Sequence, residues 1–251
     1  MSEAARTGSA EPERAAFYAL SPGGWRDYWS LLHPPYTLWH LSYVAIGAAL
    51  APSFNGLYLG ASLLAFFLAV GLSAHALDEL NGRPLRTRIP SGVLVAIAVA
   101  GLAGAVALGV AGAARVSPWL LVFIPVGAFL VPAYNLEWFG GLFHNDTWFA
   151  LAWGAFPALV GYFAQSGEIG VPAVAAAVAC ALLSAAQRRL STPVRKLRRR
   201  VRSVEGELSL ADGSTERLDA SALRAAPEAA LRIMSLAMVA MASAMVAARI
   251  L

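Results

Sequence analysis

The sequence contains little charge for its length. Of its 251 residues, 14% are Asp, Glu, Lys or Arg and 58% are hydrophobic, and the mean hydropathy is +0.60. A soluble protein of this size needs more polar surface, so the composition excludes a soluble globular enzyme and indicates a polytopic membrane protein. The net charge of +4 is small, and we interpret it as a topology signal rather than as a surface for nucleic acid.

Cysteine and lysine occur once each, as Cys180 and Lys196. A single cysteine cannot form an intrachain disulfide, and its Ala-rich surroundings predict a small buried hydrophobe. The last apolar segment, residues 228–250, has no lysine, which excludes a retinal protein with its Schiff base in the last helix. Residues 1–25 lack the apolar stretch of a signal peptide and predict a mobile N-terminal tail.

Seven apolar segments are candidates for membrane-spanning helices, since a span needs roughly 20 mostly apolar residues. They are residues 36–55, 57–77, 91–113, 117–134, 147–165, 170–187 and 228–250. The sixth is short unless its helix continues into the basic stretch that follows. The sequence therefore predicts an all-α polytopic transmembrane bundle of about seven spans, with residues 26–251 forming a single transmembrane domain.

Basic residues are distributed unevenly between the connectors. The connector after the second span carries three arginines, and residues 188–202 carry eight basic residues, whereas the connectors after the first and fifth spans have none. The positive-inside rule then predicts a cytoplasmic N-terminus in a multi-pass protein of the cytoplasmic membrane. In this topology the polar connectors 2–3, 4–5 and 6–7 share the cytoplasmic face.

The second span ends in the stretch "AHALDELNGRPLRTRIPSG", residues 74–92. Helical spacing would place His75, Asp78, Glu79 and Gly82 on one face. Ionisable groups at the end of a membrane helix usually face the bundle interior or a wet cavity. Asp78 and Glu79 are therefore candidate ligands for Mg²⁺, a hard cation that prefers oxygen and commonly bridges to phosphate.

Arg83, Arg86 and Arg88 follow these carboxylates within a few residues. Guanidinium groups bind phosphate oxygens through forked hydrogen bonds, so the three arginines are candidate ligands of a phosphate group. The alternative is that the carboxylates only pair with the arginines at the interface, and that the arginines only set the topology.

A second polar cluster occupies the connector between the fourth and fifth spans. It comprises Tyr134, Asn135, Glu137, His144, Asn145 and Asp146. The predicted topology places it on the same side as Asp78, so it can belong to the same site. The alternative is structural: Asp146 caps the fifth span, and Trp138, Trp148 and Trp153 are interfacial anchors.

The segment 188–227 is predicted to form a cytoplasmic basic loop with a β-hairpin. The basic run favours topology and contact with anionic lipid headgroups, although Arg188 and Arg189 stand close enough to the span to reach a cavity mouth. Two alternating runs flank Asp212-Gly213, which is typical of a hairpin. The alternative is that Glu205 and Glu207 are metal ligands.

The second span and the 4–5 connector resemble the UbiA superfamily of intramembrane prenyltransferases. The best matching residues are Arg83-Pro84-Leu85 and Arg88-Ile89-Pro90-Ser91-Gly92, within "HALDELNGRPLRTRIPSG". The stretch "AYNLEWFGGLFHNDTWFALAWGAFPALVGYFAQSG" is similar to the family's Tyr-containing connector and the helix after it. The resemblance covers roughly residues 30–190.

The resemblance implies a helical bundle around a central cavity that opens to the cytoplasm and laterally to lipid. It implies a polyprenyl diphosphate donor, bound through Mg²⁺ and basic residues, and prenyl transfer to a lipophilic acceptor. In this interpretation Asp78 and Glu79 hold Mg²⁺, and the diphosphate lies against Arg83, Arg86, Arg88 and Arg188. Tyr134 shields the allylic cation, and His144 or Asp146 positions or deprotonates the acceptor.

The Asp-rich motifs of the family are largely missing from this chain. In the first motif only Asp78 is retained. Ala74 stands where the family has Asn, His75 where it has the neighbouring Asp, and Gly82 where it has the last Asp. Gln187, Arg188 and Arg189 stand where the second motif is expected. Either arginines have replaced metal in neutralising the diphosphate, or the chain no longer performs this chemistry.

Two other classes of function remain as alternatives. The first is a catalytically silent relative that binds a lipid, an isoprenoid or a membrane partner, and the loss of Asp-rich motifs favours it. The second is a transporter, which is disfavoured because the sequence has no inverted repeat and few polar residues at mid-span depth.

Overall fold

Helices make up most of the computed structural model, which describes residues 14–251. The helices are α1 (Trp25–Leu31), α2 (Pro34–Leu50), α3 (Gly56–Leu80), α4 (Ser91–Ala113), α5 (Leu120–Asn135), α6 (Trp138–Gly141), α7 (Asp146–Ser166), α8 (Val171–Arg199) and α9 (Ala220–Ile250). The strands β1 (Gly206–Ser209) and β2 (Thr215–Leu218) lie between α8 and α9.

Five helices of the described chain are long and apolar enough to cross a membrane. They are α3, α4, α7, α8 and α9. Helix α5 is apolar but shorter, and α2 has 17 residues. The predicted all-α membrane bundle is therefore confirmed in its class, whereas the predicted number of seven spans is not confirmed.

Helix α2 is the centre of the bundle and packs mainly against α7 and α9. Its buried Trp39 and Tyr43 form a core cluster with Ala158 of α7 and Met238 of α9. A Cβ atom on Gly161 of α7 would overlap the backbone of α2, so only glycine allows this approach. Small residues at such crossings let two membrane helices come into backbone contact.

Two of the long helices contain π-helical segments. Residues Phe67–Ala74 form one within α3, and residues Leu151–Ala155 form the other within α7. A π-helical segment shifts the register of the side chains that follow and is frequent at functional sites. Val70 and Trp153, one from each segment, pack in the same buried cluster near the polar end of the bundle.

The connectors 2–3, 4–5 and 6–7 meet at one end of the bundle, as the distribution of arginines predicts. The side chain of Asn81, after α3, donates to the carbonyl of Asn135, at the end of α5 (3.2 Å). Arg188 of α8 forms an ion pair with Asp146, the first residue of α7 (2.9 Å). These contacts bring together the polar residues of three separate connectors.

Part of the predicted mobile tail is packed against this end. Ala15, Ala16 and Ala19 are buried and form a small cluster with Leu85. The described part of the tail, from residue 14 onward, therefore lies on the bundle rather than in solvent, while residues 1–13 lie outside the described part of the chain.

The hairpin predicted around Asp212-Gly213 is present, with β1 and β2 paired antiparallel. The Asp212 carboxylate accepts the backbone N–H of Ser214 (2.9 Å), and Gly213 has a positive φ of 84°, which suits a tight turn. Glu207 lies opposite Arg217 across the ladder. This opposite-charge pairing is typical of an exposed antiparallel hairpin.

Candidate functional site: a cavity at the polar end of the bundle

The polar end of the bundle encloses a cavity of about 460 Å³. Its wall is built from residues 15–18, the start of α2, the end of α3, the end of α5, the first half of α7 and the last turns of α8. Four of the predicted site residues, Asp78, Tyr134, His144 and Arg188, line it. The connectors therefore bring the predicted residues into one volume, which is large enough for a small organic ligand.

One wall of the cavity is strongly basic. Its cationic side chains lie on the last turns of α8 and at the residue that follows it, and are Arg188, Arg195, Lys196, Arg199 and Arg200. Only two carboxylates, Asp78 and Glu137, are among the described lining residues. An excess of three positive charges in a confined volume attracts an anion.

Arg188 is held in a defined position by its neighbours. Its guanidinium donates to the Tyr134 hydroxyl (2.6 Å) and to the Asp146 carboxylate (2.9 Å), and it lies 5.3 Å from the ring centre of Phe149. The Arg188 side chain is 11% exposed. Asp146 thus serves here as a partner of Arg188, and it adds a longer contact to Arg189 (3.8 Å).

Arg195 and Arg199 follow Arg188 at helical spacing on the same face of α8. Within residues 14–251, Arg195 donates one long hydrogen bond, to Thr192 of its own helix (3.3 Å). Arg199 donates to the carbonyl oxygen of Ala15 (3.2 Å), which ties the N-terminal segment to the cavity. The guanidinium of Arg195 is therefore available to a ligand.

All four histidines of the sequence line this cavity. Three of them place Nδ1 against a backbone carbonyl oxygen: His40 against Trp153 (2.7 Å), His75 against Gly71 (3.2 Å) and His144 against Tyr134 (2.9 Å). A carbonyl oxygen can only accept, so Nδ1 carries the proton in each of these rings. The neutral ring then presents Nε2 as an acceptor.

The fourth histidine, His33, lies between α1 and α2. Its Nδ1 contacts the Tyr18 hydroxyl (2.9 Å), and its ring stacks on that of His75 with the centres 4.1 Å apart. Burial lowers the pKa of His33 well below its ordinary value, and His75 adds to the effect. Burial likewise raises the pKa of Tyr18, so both groups are neutral at physiological pH.

Two buried polar atoms in the cavity wall have no hydrogen-bond partner within the described chain. They are Nε2 of His33 and Oε1 of Gln187. A buried polar atom without a partner costs about 1–3 kcal/mol. Both atoms belong to lining residues, so a polar group inside the cavity would remove this cost.

Glu79 lies away from the cavity although it follows Asp78 directly. Its two carboxylate oxygens accept the backbone N–H groups of Leu85 (2.9 Å) and Thr87 (2.8 Å), and the residue is 1% exposed. The two carboxylates predicted to share Mg²⁺ therefore serve different parts of the molecule.

The structure does not bring Asp78 and Glu79 together as the pair predicted to hold Mg²⁺. No group of three His, Cys, Asp or Glu side chains in the described chain could hold a metal ion. Asp78 is the only carboxylate that α3 contributes to the cavity, and the wall of α8 beside it already supplies positive charge. The described chain therefore offers Mg²⁺ a single carboxylate at this wall, and its other oxygen ligands would have to come from phosphate and water.

The arginines after α3 build the loop between α3 and α4. Arg83 donates to the carbonyl of Ile89 (2.6 Å) and to the hydroxyl of Ser91 (2.8 Å). The backbone N–H of Arg88 donates to Asp27 of α1 (3.0 Å), and the side chains of Arg86 and Arg88 are exposed. Among the described residues, none of these three arginines lines the cavity.

Several lining residues were not among the predicted site residues. They are His33, His40, Gln187, Arg195, Lys196, Arg199 and Arg200. The sequence signal for Arg195 and Arg199 is their spacing of seven and eleven residues from Arg188, which places them on one face if the helix continues. The signal for the histidines is their rarity and their position near the predicted span ends.

Comparisons with protein-family models, curated proteins and solved structures found no match to this chain. The resemblance to the UbiA superfamily therefore has no support beyond the residues around Arg83-Pro84-Leu85 and the 4–5 connector.

Proposed function

We propose that the chain is a UbiA-like membrane protein that binds the diphosphate of a prenyl diphosphate against the basic wall of α8. The observation that carries this proposal is the row of arginines, Arg188, Arg195 and Arg199, along one cavity wall at the end of a membrane bundle. A diphosphate carries large negative charge, and its oxygens accept forked hydrogen bonds from guanidinium groups.

The hydrocarbon part of such a ligand has apolar surface available beside the basic wall. Val70, Phe149 and Trp153 line the same cavity. A second, apolar cavity of about 110 Å³ shares Val70 and Trp153 with the first. An amphiphile with an anionic head and an apolar tail therefore matches the wall better than free phosphate does, and the resemblance suggests a prenyl tail.

The reaction that this site supports is prenyl transfer to a lipophilic acceptor. The bond between the allylic carbon and the diphosphate oxygen breaks, and its electron pair leaves with the diphosphate, which the arginines stabilise. The ring of Tyr134 stands beside Arg188 and can stabilise the allylic cation through its π face. His144, stacked on Tyr134 at 4.5 Å between ring centres, is placed to orient the acceptor.

We also propose that the bundle has seven spans with a cytoplasmic N-terminus, in the cytoplasmic membrane. This count adds α2 and α5 to the five long helices, and the excess of arginine at the polar end supports the orientation. The cavity would then open toward the cytoplasm. The exposed Arg189, 82% of whose side chain is accessible, is placed to meet anionic headgroups.

The proposal is tested by binding of farnesyl diphosphate to the purified protein. Arg195→Gln removes a guanidinium that has few protein contacts, and it should weaken binding about 10- to 100-fold, because charge-assisted hydrogen bonds contribute about 1.5–3 kcal/mol. The matched control is Arg189→Gln on the same helix, which should bind as the parent does. Equal affinities for the parent and Arg195→Gln would refute the phosphate assignment.

A catalytically silent binder of isoprenoid lipid is the second candidate function. The absence of a metal-holding group from the described chain favours it. Native mass spectrometry of gently purified protein should show a retained isoprenoid in either case. Release of diphosphate from farnesyl diphosphate in the presence of lipophilic phenols would identify the transferase, whereas stable binding without release would identify the silent relative.

A further inference from the structure

We propose that the cavity contains a second subsite, formed by His40 and His75, that binds a group donating hydrogen bonds, namely a hydroxyl or a neutral amine. The subsite lies on α2 and α3, whereas the proposed phosphate site lies on α8. The second ligand of the same cavity would therefore be a compound with a hydroxyl or a neutral amine.

The tautomers of the two histidines carry this inference. Nδ1 of His40 lies 2.7 Å from the carbonyl oxygen of Trp153, and Nδ1 of His75 lies 3.2 Å from that of Gly71. Both nitrogens must donate, so Nε2 of each neutral ring holds a lone pair. Within the described chain these two Nε2 atoms have no hydrogen-bond donor opposite them, and both residues line the cavity.

Metal binding is the other use of histidines held in this way, because metal ligands often donate Nδ1–H to a carbonyl. No group of three His, Cys, Asp or Glu side chains in the described chain could hold a metal ion, and the stacking of His33 on His75 also separates their lone pairs. The rings of His33 and His75 are nearly parallel, at 11°, and stacked 4.1 Å apart. The lone pairs of stacked rings lie side by side and do not converge on one ion. Hydrogen bonding to a ligand is the remaining use.

Gln187 gives independent support for a donor in the cavity. Its Oε1 is buried without a partner and can only accept a hydrogen bond. An ionised diphosphate also only accepts, so it cannot satisfy Gln187, His40 or His75. A hydroxyl or amine satisfies these atoms, and the cavity therefore offers complementary walls for two different groups.

The role of this subsite in catalysis rests on the proposed function, whereas its binding chemistry does not. In prenyl transfer the acceptor would bring its O–H or N–H to Nε2 of His75. The allylic carbon loses the diphosphate with the bonding electron pair and forms a new bond to the acceptor oxygen or nitrogen. The acceptor proton moves to Nε2, which becomes an imidazolium nitrogen.

Farnesol and farnesyl methyl ether form a matched pair of probes, since they share a tail but only the alcohol can donate. Farnesol should bind about 3- to 10-fold more tightly than the ether to the parent protein, the range of one neutral hydrogen bond. His75→Asn keeps a donor near Gly71 but removes the acceptor at Nε2, so it should abolish this preference. His75→Gln places an oxygen near Nε2 and should restore part of it.

Nitrogen NMR of histidine-labelled native protein provides a test without substitutions. The chain has four histidines, all in the cavity wall, so every ring signal reports on this site. His40 and His75 should show protonated Nδ1, and farnesol should shift their Nε2 signals while the ether should not. Protonated Nε2 in these rings, or equal binding of the two probes, would overturn the proposal.

The two proposals fail separately. If farnesyl diphosphate does not bind but farnesol shows the expected preference, the proposed function is wrong and the donor subsite stands. If the diphosphate binds through Arg195 but alcohol and ether are indistinguishable, the phosphate site stands and the donor subsite is wrong.

Discussion

Two arginine-rich regions of this molecule have similar sequences and different surroundings. In the loop between α3 and α4, the guanidinium of Arg83 donates a hydrogen bond to the carbonyl of Ile89 and so stabilises the loop itself. At the end of α8, Arg195 and Arg199 stand on one face of a continuous helix and line the cavity. In a regular helix, residues at helical spacing lie on one face and can form one wall of a cavity. In an irregular loop, the side chains instead form hydrogen bonds that hold the loop backbone.

The neighbouring carboxylates Asp78 and Glu79 show the same contrast at one end of α3. Asp78 faces the cavity, while Glu79 binds two backbone N–H groups of the loop. Successive residues of a helix point in directions about 100° apart. Adjacent carboxylates therefore need not form one metal site.

Replacing Glu79 should have the largest effect, and it should fall on stability. Glu79→Ala leaves the buried N–H groups of Leu85 and Thr87 without an acceptor, so we expect a loss of about 2–5 kcal/mol. Thermal denaturation in detergent measures it. Asp78→Asn is the matched control and should change stability by less than about 1 kcal/mol. If the two changes destabilised the protein equally, the assignment of Glu79 to the loop and of Asp78 to the cavity would be wrong.

Exchanging arginine for lysine should separate the two regions by ligand affinity. Arg195→Lys keeps the charge but loses the forked geometry, so affinity for farnesyl diphosphate should fall about tenfold. Arg83→Lys in the loop should leave this affinity unchanged, because Arg83 lies outside the cavity lining of the described chain. If Arg83→Lys lowered the affinity more than Arg195→Lys, the phosphate would bind to the loop between α3 and α4 rather than to α8.

The pH dependence of stability near neutrality should come from the cavity end. The pKa of His33 is lowered, chiefly by burial, so the unfolded chain binds a proton that the folded chain does not. The contribution of His33 is present above its unfolded pKa of about 6.5 and is lost as the pH falls below it. The loss should approach about 1.4 kcal/mol per pH unit.

Denaturation at pH 7.0 and 5.5 measures this slope. His33→Gln cannot bind the proton, so its stability should change less over the same interval. A slope as steep in His33→Gln as in the parent would assign the dependence to other groups.

Chelation should have the smallest effect of all. If arginines rather than Mg²⁺ neutralise the diphosphate, EDTA should leave the affinity for farnesyl diphosphate unchanged. Isothermal titration with and without the chelator decides this, with a magnesium-dependent prenyltransferase as the positive control. Loss of binding in EDTA would restore a metal to the site.

The shared polar end and the hairpin could be predicted from the sequence because loop charge and Asp-Gly turns are local signals. The positions of Tyr134, His144 and Arg188 in the cavity follow from that shared end. The role of Glu79 in stabilising the loop could not be predicted, because its partners are backbone N–H groups whose positions depend on the folded loop.

The extension of α8 explains another difference between the sequence and the structure. Hydropathy ends the sixth apolar span near residue 187, and the basic run after it favours a surface loop unless the helix continues. The helix instead continues to Arg199, through Pro193. Because the helix continues, Arg195 lies in the cavity wall. A hydropathy profile does not predict this continuation, since the residues after 187 are polar.

The packing of α2 has a consequence for biosynthesis. Its main partners, α7 and α9, are made more than 100 residues later, and the carbonyl of Trp153 that holds His40 belongs to α7. During synthesis Nδ1 of His40 therefore has no carbonyl partner until α7 is made, whereas Tyr43 already accepts a hydrogen bond from Trp39 of its own helix. We expect the nascent chain to remain open until α7 emerges, and ribosome-bound chains truncated before Gly161 to be more protease-sensitive than longer ones, since non-local contacts form last.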